Sequence, residues 1–211
     1  MVDSRAGRER VGWGRWDRAE QLLDVPLGEP AGEPGGPVYL VCAHGRHDAC
    51  CAIRGRPVAE ALAATRPGQV WECSHVGGDR FAANLVALPH GLYYAHVEPA
   101  AAVGLAAAYE RGEVDLHRLR GRSAFAAPAQ AAQHYARLAL SETGLDALRP
   151  VGLARLGGGT WRVRLVAPGG GALLVTVRAG VGAPVRLTCS SRTAEPPRTW
   201  ELVALRRAPA G

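Results

Sequence analysis

Lysine is absent from this 211-residue chain, so all 25 of its basic residues are arginine. Other residue types are scarce too, with one Met and two Phe in the whole sequence. The formal net charge of +6 is spread along the chain and accompanies no groove-reading motif, so we expect no nucleic-acid partner. A composition rich in Ala, Gly and Arg but without Lys indicates a coding bias as readily as a phosphate-binding surface.

Long apolar runs are also missing. No stretch approaches the ~18 residues that a membrane-spanning helix requires, so the sequence predicts a protein that does not cross a membrane. The opening MVDSRAGRER lacks the apolar segment of a secretory signal, and we therefore expect a cytoplasmic location. A length of 211 residues is enough for one domain with a sizeable core, or for one domain with an appendage.

The chain has no CxxC pair, although it contains five cysteines. An odd count in a reducing compartment argues against a disulfide framework and favours metal binding or redox chemistry. Four of the cysteines and three of the seven histidines lie between Val38 and Asn84. Because thiols and imidazoles are ligands for soft and borderline metals, we expect the functional site in this stretch.

Residues 1–36 predict an N-terminal remnant and a linker. Val2 to Trp16 is Arg-rich and shows no helical period, which favours a strand followed by a loop. Asp17 is expected to cap a short helix over 18–23 that turns Leu22 and Leu23 inward. The turn-dense stretch from Gly28 to Pro37 predicts a linker.

Residues 37–145 predict an α/β domain. The continuous apolar run from Val38 to Val41 is typical of a strand that is covered on both faces. The other elements expected here are a helix over Val58 to Ala64, a strand over Gln69 to Cys73, a hairpin of Leu85 to Leu88 with Leu92 to Val97, helices over Pro99 to Arg111 and Pro128 to Leu140, and a basic turn, LHRLRGR, between those two helices.

Residues 150–211 predict a β-rich appendage. Gly-rich turns separate short apolar runs, and the first run alternates with Arg162 and Arg164 facing outward. The strands expected in this appendage are Trp161 to Ala167, Leu173 to Arg178, Val185 to Cys189 and Thr199 to Leu205. Cys189 lies in one of these strands, and we interpret it as structural.

Four candidate ligands follow the first two strands of the α/β domain. Cys42 ends one strand and Cys51 follows nine positions later, while His75 and Asp79 are four positions apart around Gly77-Gly78. Loops at the carboxyl ends of neighbouring strands meet at one sheet edge, so these side chains are expected to form a four-ligand metal site. Cys42 and Cys51 could instead be buried core thiols, and Asp79 could instead cap a helix.

The spacing favours a two-iron, two-sulfide (2Fe-2S) cluster over zinc. Structural zinc is usually held by closely spaced ligand pairs, and Cys42 and Cys51 are too far apart for such a knuckle. A wide loop fits a cluster better, because its backbone N–H groups can be directed at the sulfurs. Zinc remains the alternative metal. His44 and His47, beside the cysteines, are interpreted as solvated.

Two segments carry a resemblance to a known family. CAHGRHDACCAIRGRPVAEALA, followed by WECSHVGGDRFAANLVALPHGLYY, resembles the sucrase/ferredoxin-like family, whose core is similar to thioredoxin-like two-iron ferredoxins. The resemblance implies a thioredoxin-like ferredoxin core, a mixed sheet with flanking helices, and a chain that lacks the N-terminal segment of longer family members. It also implies that Cys42, Cys51 and His75 are ligands.

The fourth ligand position departs from the family pattern. Family members carry CxxxC or HxxxH where this chain has His75 and Asp79. The resemblance therefore implies Asp79 as the fourth ligand, with Cys50 or Cys73 as the alternatives. We otherwise interpret Cys50 and Cys73 as packing residues.

The function implied by the resemblance is that of an electron carrier with a 2Fe-2S cluster and a protein redox partner, either a reductase or an acceptor. A protein of this kind transfers electrons and is not itself a catalyst. A metal-free thiol redox enzyme and a zinc-stabilised binding module are the alternatives. No pair of carboxylates is arranged as a glycosidase requires, so the sequence does not support sucrase activity.

Overall fold

A computed structural model of the chain describes residues 1–26, 28, 32–46 and 48–208. These residues form twelve β-strands in three sheets, together with three α-helices. The strands are β1 (Val2–Asp3), β2 (Arg10–Trp13), β3 (Glu33–Gly35), β4 (Val38–Cys42), β5 (Val70–Cys73), β6 (Leu85–Leu88), β7 (Leu92–Tyr94), β8 (Leu119–Arg122), β9 (Pro150–Gly157), β10 (Thr160–Val166), β11 (Ala172–Val181) and β12 (Arg198–Arg207). The helices are α1 (Ala49–Thr65), α2 (Pro99–Glu110) and α3 (Ala127–Leu140), and short 3₁₀ helices cover Ala19–Asp24 and Asp79–Phe81.

A mixed five-stranded sheet positions the candidate site. Its order is β5-β4-β6-β7-β8, in which β4 and β5 are parallel and the other neighbours are antiparallel. Strand β4 lies inside this sheet and is buried on both faces, as its apolar run predicts. Helix α1 connects the two parallel strands, so the predicted α/β class is confirmed.

Helix α1 begins nearer the cysteines than predicted. Its first residue is Ala49 instead of Val58, which places Cys50 and Cys51 in the first turn and Pro57 inside the helix. The start was missed because Asp48, at the N-cap position, makes no side-chain bond to the helix N–H groups. The helix ends before Pro67-Gly68, as predicted.

Two main hydrophobic cores lie within the described residues. The first contains residues of β4, β6, β7, α1 and α2, centred on the fully buried Tyr39 and Tyr94. The second contains Ala132 and Ala136 of α3 packed against β10 and β11 of the C-terminal sheet, whose order is β12-β11-β10-β9. Helix α3 therefore packs on the β-rich part of the chain. The domain limits drawn from the sequence remain predictions.

Strands β1, β2 and β3 form a small antiparallel sheet at the N-terminal end. Strand β3 lies inside the predicted linker, while residues 29–31 of that linker lie outside the described residues. The prediction that Leu22 and Leu23 face inward was wrong, because they are 48% and 87% exposed on a 3₁₀ helix that buries none of its residues. Trp13 packs against Trp71 of β5 with ring centroids 6.1 Å apart.

Two further predictions were wrong, one for a basic segment and one for a short apolar segment. LHRLRGR is not a turn but contains β8, which pairs with β7 and whose arginines find partners in the fold. Val185 to Cys189 is not a strand, since Val185 makes only an isolated bridge to Glu195. Among the described residues, no helix combines the length and the apolar character needed to cross a bilayer.

Candidate metal centre

The candidate centre lies where β4 and β5 end. These strands are parallel, and Cys42 and Cys73 are direct partners in the register. The loops that follow both strands therefore leave the sheet at the same edge, and α1 begins there as well. The amino end of a long helix carries partial positive charge, which favours thiolates and anionic metal groups.

Three of the four predicted ligands lie together at this edge. The Sγ atoms of Cys42 and Cys51 and a ring nitrogen of His75 all lie within 4.8 Å of one another. Cys42 and Cys51 are fully buried, whereas His75 is partly exposed. Thirty-three positions separate the first of these residues from the last in the sequence, and the parallel pairing of β4 with β5 brings them together.

Asp79 contacts two of these three side chains. Its Oδ1 accepts a hydrogen bond from the Cys51 thiol at 3.2 Å and lies 2.9 Å from His75 Nδ1. The residue is 3% exposed and is the first residue of the second 3₁₀ helix, where Gly78 occupies the cap position and no side-chain cap bond is present. The carboxylate is thus directed at the predicted ligands and does not cap a helix.

The loop that carries His75 and Asp79 is held by residues that sequence reasoning missed. The buried Asn84 donates from Nδ2 to the Gly78 carbonyl oxygen at 3.0 Å. Arg120 of β8 donates to Asn84 Oδ1 at 2.9 Å and to the Gly77 carbonyl oxygen at 3.2 Å. Gly78 has φ +81°, and a Cβ there would lie 2.7 Å from the Arg120 guanidinium, so this position requires glycine. No local signal in the sequence points to Arg120.

Cys50 and Cys73, the alternative fourth ligands, flank the centre. The Cys50 thiol donates to the backbone carbonyl oxygen of Asp79 at 3.4 Å. Cys73 lies beside Cys42, where burial and the neighbouring Cys42 raise the pKa of its thiol to about 11. Of the loop histidines, His44 is exposed as expected, and His47 lies outside the described residues.

Without a metal, the centre favours protonated thiols. Burial, followed by the hydrogen bond to Asp79, raises the pKa of Cys51, and burial followed by the charge of Asp48 raises the pKa of Cys50. A metal binds the thiolate form, so loading this centre must release protons. Thiols whose pKa is raised are also poor nucleophiles at neutral pH.

The donor set fits a metal group. Two sulfurs and one imidazole nitrogen converge, a carboxylate oxygen of Asp79 contacts two of the three side chains, and the apolar residues Ala82 and Val76 pack beside the cysteines. Thiolate and imidazole together suit zinc, iron and iron–sulfur clusters. Gly55 brings α1 close to the end of β4, because its missing side chain leaves room for the Cys42 carbonyl oxygen.

Comparison with known proteins identifies a family for the part of the chain that contains this centre. The sequence model of the sucrase/ferredoxin-like family matches residues 16–121, which is half of the chain. The chain belongs to the sucrase/ferredoxin-like family. The matched region includes every predicted ligand of the candidate centre, while α3 and the C-terminal sheet lie outside the family match. No curated protein matches the chain.

Proposed function

We propose that this family member is an electron carrier that holds a 2Fe-2S cluster through Cys42, Cys51, His75 and Asp79. The observation that carries the proposal is the convergence of two buried thiols and an imidazole to within 4.8 Å, with a buried carboxylate in contact with two of them. A bound cluster would supply one-electron chemistry, and a neutral imidazole ligand favours a higher reduction potential than thiolates alone give.

The protein's own contribution is to place and shield the ligands. Cys42 is held on a buried strand and Cys51 is buried in the first turn of α1, whereas His75 is partly exposed to solvent. The N–H groups of the first turn of α1 and the glycines of the 75–79 loop allow the backbone to approach sulfur atoms closely.

The partner is proposed to be a redox protein, either a reductase or an acceptor. Arg54 and Arg80 lie beside the centre, where Arg54 donates to the Ala82 carbonyl oxygen at 3.3 Å and Arg80 stacks on Phe81. The chain has a formal net charge of +6, and these two arginines add positive charge beside the centre. Both features favour a partner with an acidic docking face. We propose the cytoplasm as the compartment, consistent with five cysteines that are all free thiols.

The proposal is tested by purification without oxygen, followed by visible absorbance and by iron and sulfide determination. We expect a red-brown protein with about two irons and two sulfides per chain. Cys42→Ser, Cys51→Ser and His75→Ala should each reduce the cluster content, whereas His44→Ala, which changes an exposed histidine of the neighbouring loop, should not. A colourless wild-type protein with no sulfide would contradict the proposal.

A single tetrahedral ion is the second candidate, because three ligand atoms within 4.8 Å of one another also suit one zinc ion. One zinc per chain without sulfide would support this alternative, which makes the protein a zinc-stabilised binding module. The raised pKa values of Cys50, Cys51 and Cys73 disfavour the third alternative, a thiol redox enzyme, because such an enzyme needs a ready thiolate.

A further inference from the structure

The loop between β11 and β12 returns to the candidate centre. Within it, the Cys189 backbone N–H donates to Asp48 Oδ2 at 2.6 Å, although 141 positions separate these residues. The Leu187 carbonyl oxygen of the same loop accepts from the Arg80 backbone N–H at 3.3 Å. A segment outside the family match is thus held against both loops of the centre.

Asp48 is buried in a way that hydrogen bonding within the described residues does not explain. It is 2% exposed, and instead of capping α1 it turns its carboxylate towards Cys189. Its second oxygen, Oδ1, is also buried and has no hydrogen-bond partner among the described residues. A buried carboxylate oxygen without a strong donor is unfavourable, and a bound cation would compensate it.

Two thiols complete the surroundings of this carboxylate. A carboxylate oxygen of Asp48, Cys50 Sγ and Cys189 Sγ all lie within 4.8 Å of one another. Cys189 is exposed and Cys50 is partly exposed, so an ion has a path from solvent. Two thiolates and one carboxylate suit a borderline divalent ion such as Zn²⁺, and three protein ligands leave a fourth position open.

We propose that Asp48, Cys50 and Cys189 form a second metal site, which binds one divalent ion of the zinc type beside the candidate centre. The neighbouring residues Cys50 and Cys51 serve different sites, because the Cys51 thiol points to the Asp79 carboxylate whereas Cys50 lies near Asp48 and Cys189. When the ion binds, the Cys50 thiol loses its proton and gives up its hydrogen bond to the Asp79 carbonyl oxygen. This site does not depend on which group the main centre holds.

The site is tested by titrating the anaerobically purified chain with Co²⁺ and with Zn²⁺. Thiolate-to-cobalt charge-transfer absorption reports sulfur ligation, and elemental analysis counts the ions. We expect one ion per chain whose affinity falls at least ~10-fold in Cys189→Ser and in Asp48→Asn. Ser190→Ala, which changes an exposed neighbour in the same loop, should bind like the wild type.

His75→Ala separates this site from the main centre. It disrupts the Cys42, Cys51 and His75 group but leaves Asp48, Cys50 and Cys189 intact, so the ion that Cys189→Ser loses should persist in His75→Ala. Three results would overturn the proposal: no cobalt–thiolate absorption in the wild type, retention of all bound ions in both Cys189→Ser and Asp48→Asn, or a Cys50–Cys189 disulfide in protein kept free of oxygen, seen by peptide mass spectrometry. Loss of iron and sulfide alone would count against the electron-carrier function and not against this site.

Discussion

At the level of single residues, we propose that the chemistry of the centre depends on Asp79. A carboxylate that is 3% exposed is stable only if donors or a cation compensate its charge, and here the Cys51 thiol and the His75 ring lie against it. A metal that replaced the thiol proton would remove that hydrogen bond and leave the carboxylate beside it, which is the reason to propose Asp79 as a ligand.

Replacing Asp79 tests this role. Asp79→Asn keeps the shape but removes the charge, and we expect it to lower the iron and sulfide content per chain, whereas Asp79→His, which restores an HxxxH pair, should retain the cluster with a changed visible spectrum. Absorbance and metal analysis of anaerobic samples measure both. Cys73→Ser is the matched control: if it bleaches the protein while Asp79→Asn does not, the fourth ligand is Cys73.

Arg120 supports the loop that carries two of the predicted ligands, His75 and Asp79. In Arg120→Gln, Asn84 Oδ1 and the Gly77 carbonyl oxygen lose their donor and Phe81 loses the guanidinium 4.6 Å from its ring centroid. We expect the free energy of unfolding to fall by about 1–2 kcal/mol and the bound metal to dissociate faster. Urea unfolding and the rate of metal loss to a chelator measure these effects.

Arg155→Gln is the control for Arg120→Gln. Arg155 also lies over an aromatic ring, with Trp161 at 5.8 Å, but it belongs to β9 in the C-terminal sheet. This variant should leave metal retention unchanged. Equal rates of metal loss in the two variants would show that Arg120 does not position the loop.

At the level of elements, the approach of α1 to β4 fixes the distance between Cys51 and Cys42. Gly55 makes this approach possible, because a Cβ built there would lie 2.1 Å from the Cys42 carbonyl oxygen. We expect Gly55→Ala to destabilise the fold by about 1–3 kcal/mol and to reduce metal loading, since helix and strand must separate. Thermal unfolding and metal content measure the two effects.

Gly104→Ala provides the matched comparison. Gly104 lies within α2, and a Cβ added there would meet no other atom within 4 Å. Without a clash, the helix preference of alanine should raise stability by about 0.5–1 kcal/mol. If both variants behave alike, the contact at Gly55 does not set the geometry of the centre.

A second contact between elements should make the free energy of unfolding depend on pH. Arg66, at the end of α1, pairs with Glu110 at the end of α2, and its hydrogen bonds lower the pKa of Glu110. Because the folded-state pKa is the lower one, this pairing stabilises the protein above the unfolded-state pKa and the effect is lost as the pH falls through the folded-state value. Glu110→Gln should therefore be less stable than wild type at pH 7, by no more than about 1 kcal/mol for this partly exposed pair.

The measurement is urea unfolding of both proteins between pH 7 and pH 3. The stability difference should shrink as the pH falls and Glu110 is protonated. A difference that is constant over this range would mean that Glu110 contributes through packing and not through its charge.

How much of these elements the sequence predicts depends on whether the signal is local. The buried run of β4, the β6–β7 hairpin and helices α2 and α3 follow from hydrophobic periodicity and turn residues. Strand β8 does not, because its arginines look solvated until their partners Asn84 and Glu9 are known from the fold. The start of α1 was missed for the same reason, since Asp48 bonds to Cys189 and not to the helix.

The same distinction between local and long-range signals applies to the residues of the candidate centre. Cys42, Cys51 and His75, which spacing and the family resemblance predict as ligands, lie together because two parallel strands bring them to one edge. The role of Arg120 and the neighbourhood of Cys189 depend on contacts between distant parts of the chain. Cys189, interpreted as structural from the sequence, lies instead beside Cys50 and Asp48.

At the level of the whole molecule, the two hydrophobic cores stabilise different parts of the chain. The first core lies beside the centre and contains residues of β4, α1 and the 74–84 segment, which also carry the predicted ligands. The second core joins α3 to the C-terminal sheet and contains Val163, Leu165 and Val175, which are fully buried. Within the described residues, the 182–197 loop links the C-terminal sheet to the centre through Leu187 and Cys189.

The separation of the two cores predicts which parts of the structure become less stable when the metal is removed. A ligand that binds only the folded state stabilises the structure that holds it, so removal of the metal should loosen the end of β4, the first turn of α1 and residues 74–84. Strands β10 and β11 should be unaffected, because their core contains no predicted ligand of the main centre.

Hydrogen exchange followed by mass spectrometry, with and without a chelator, measures both regions in one experiment. His75→Ala should show the metal-free pattern at the end of β4 and in residues 74–84 without chelator. Equal acceleration of exchange in β10 and β11 would mean instead that the two cores unfold as one unit and that the centre stabilises the entire chain.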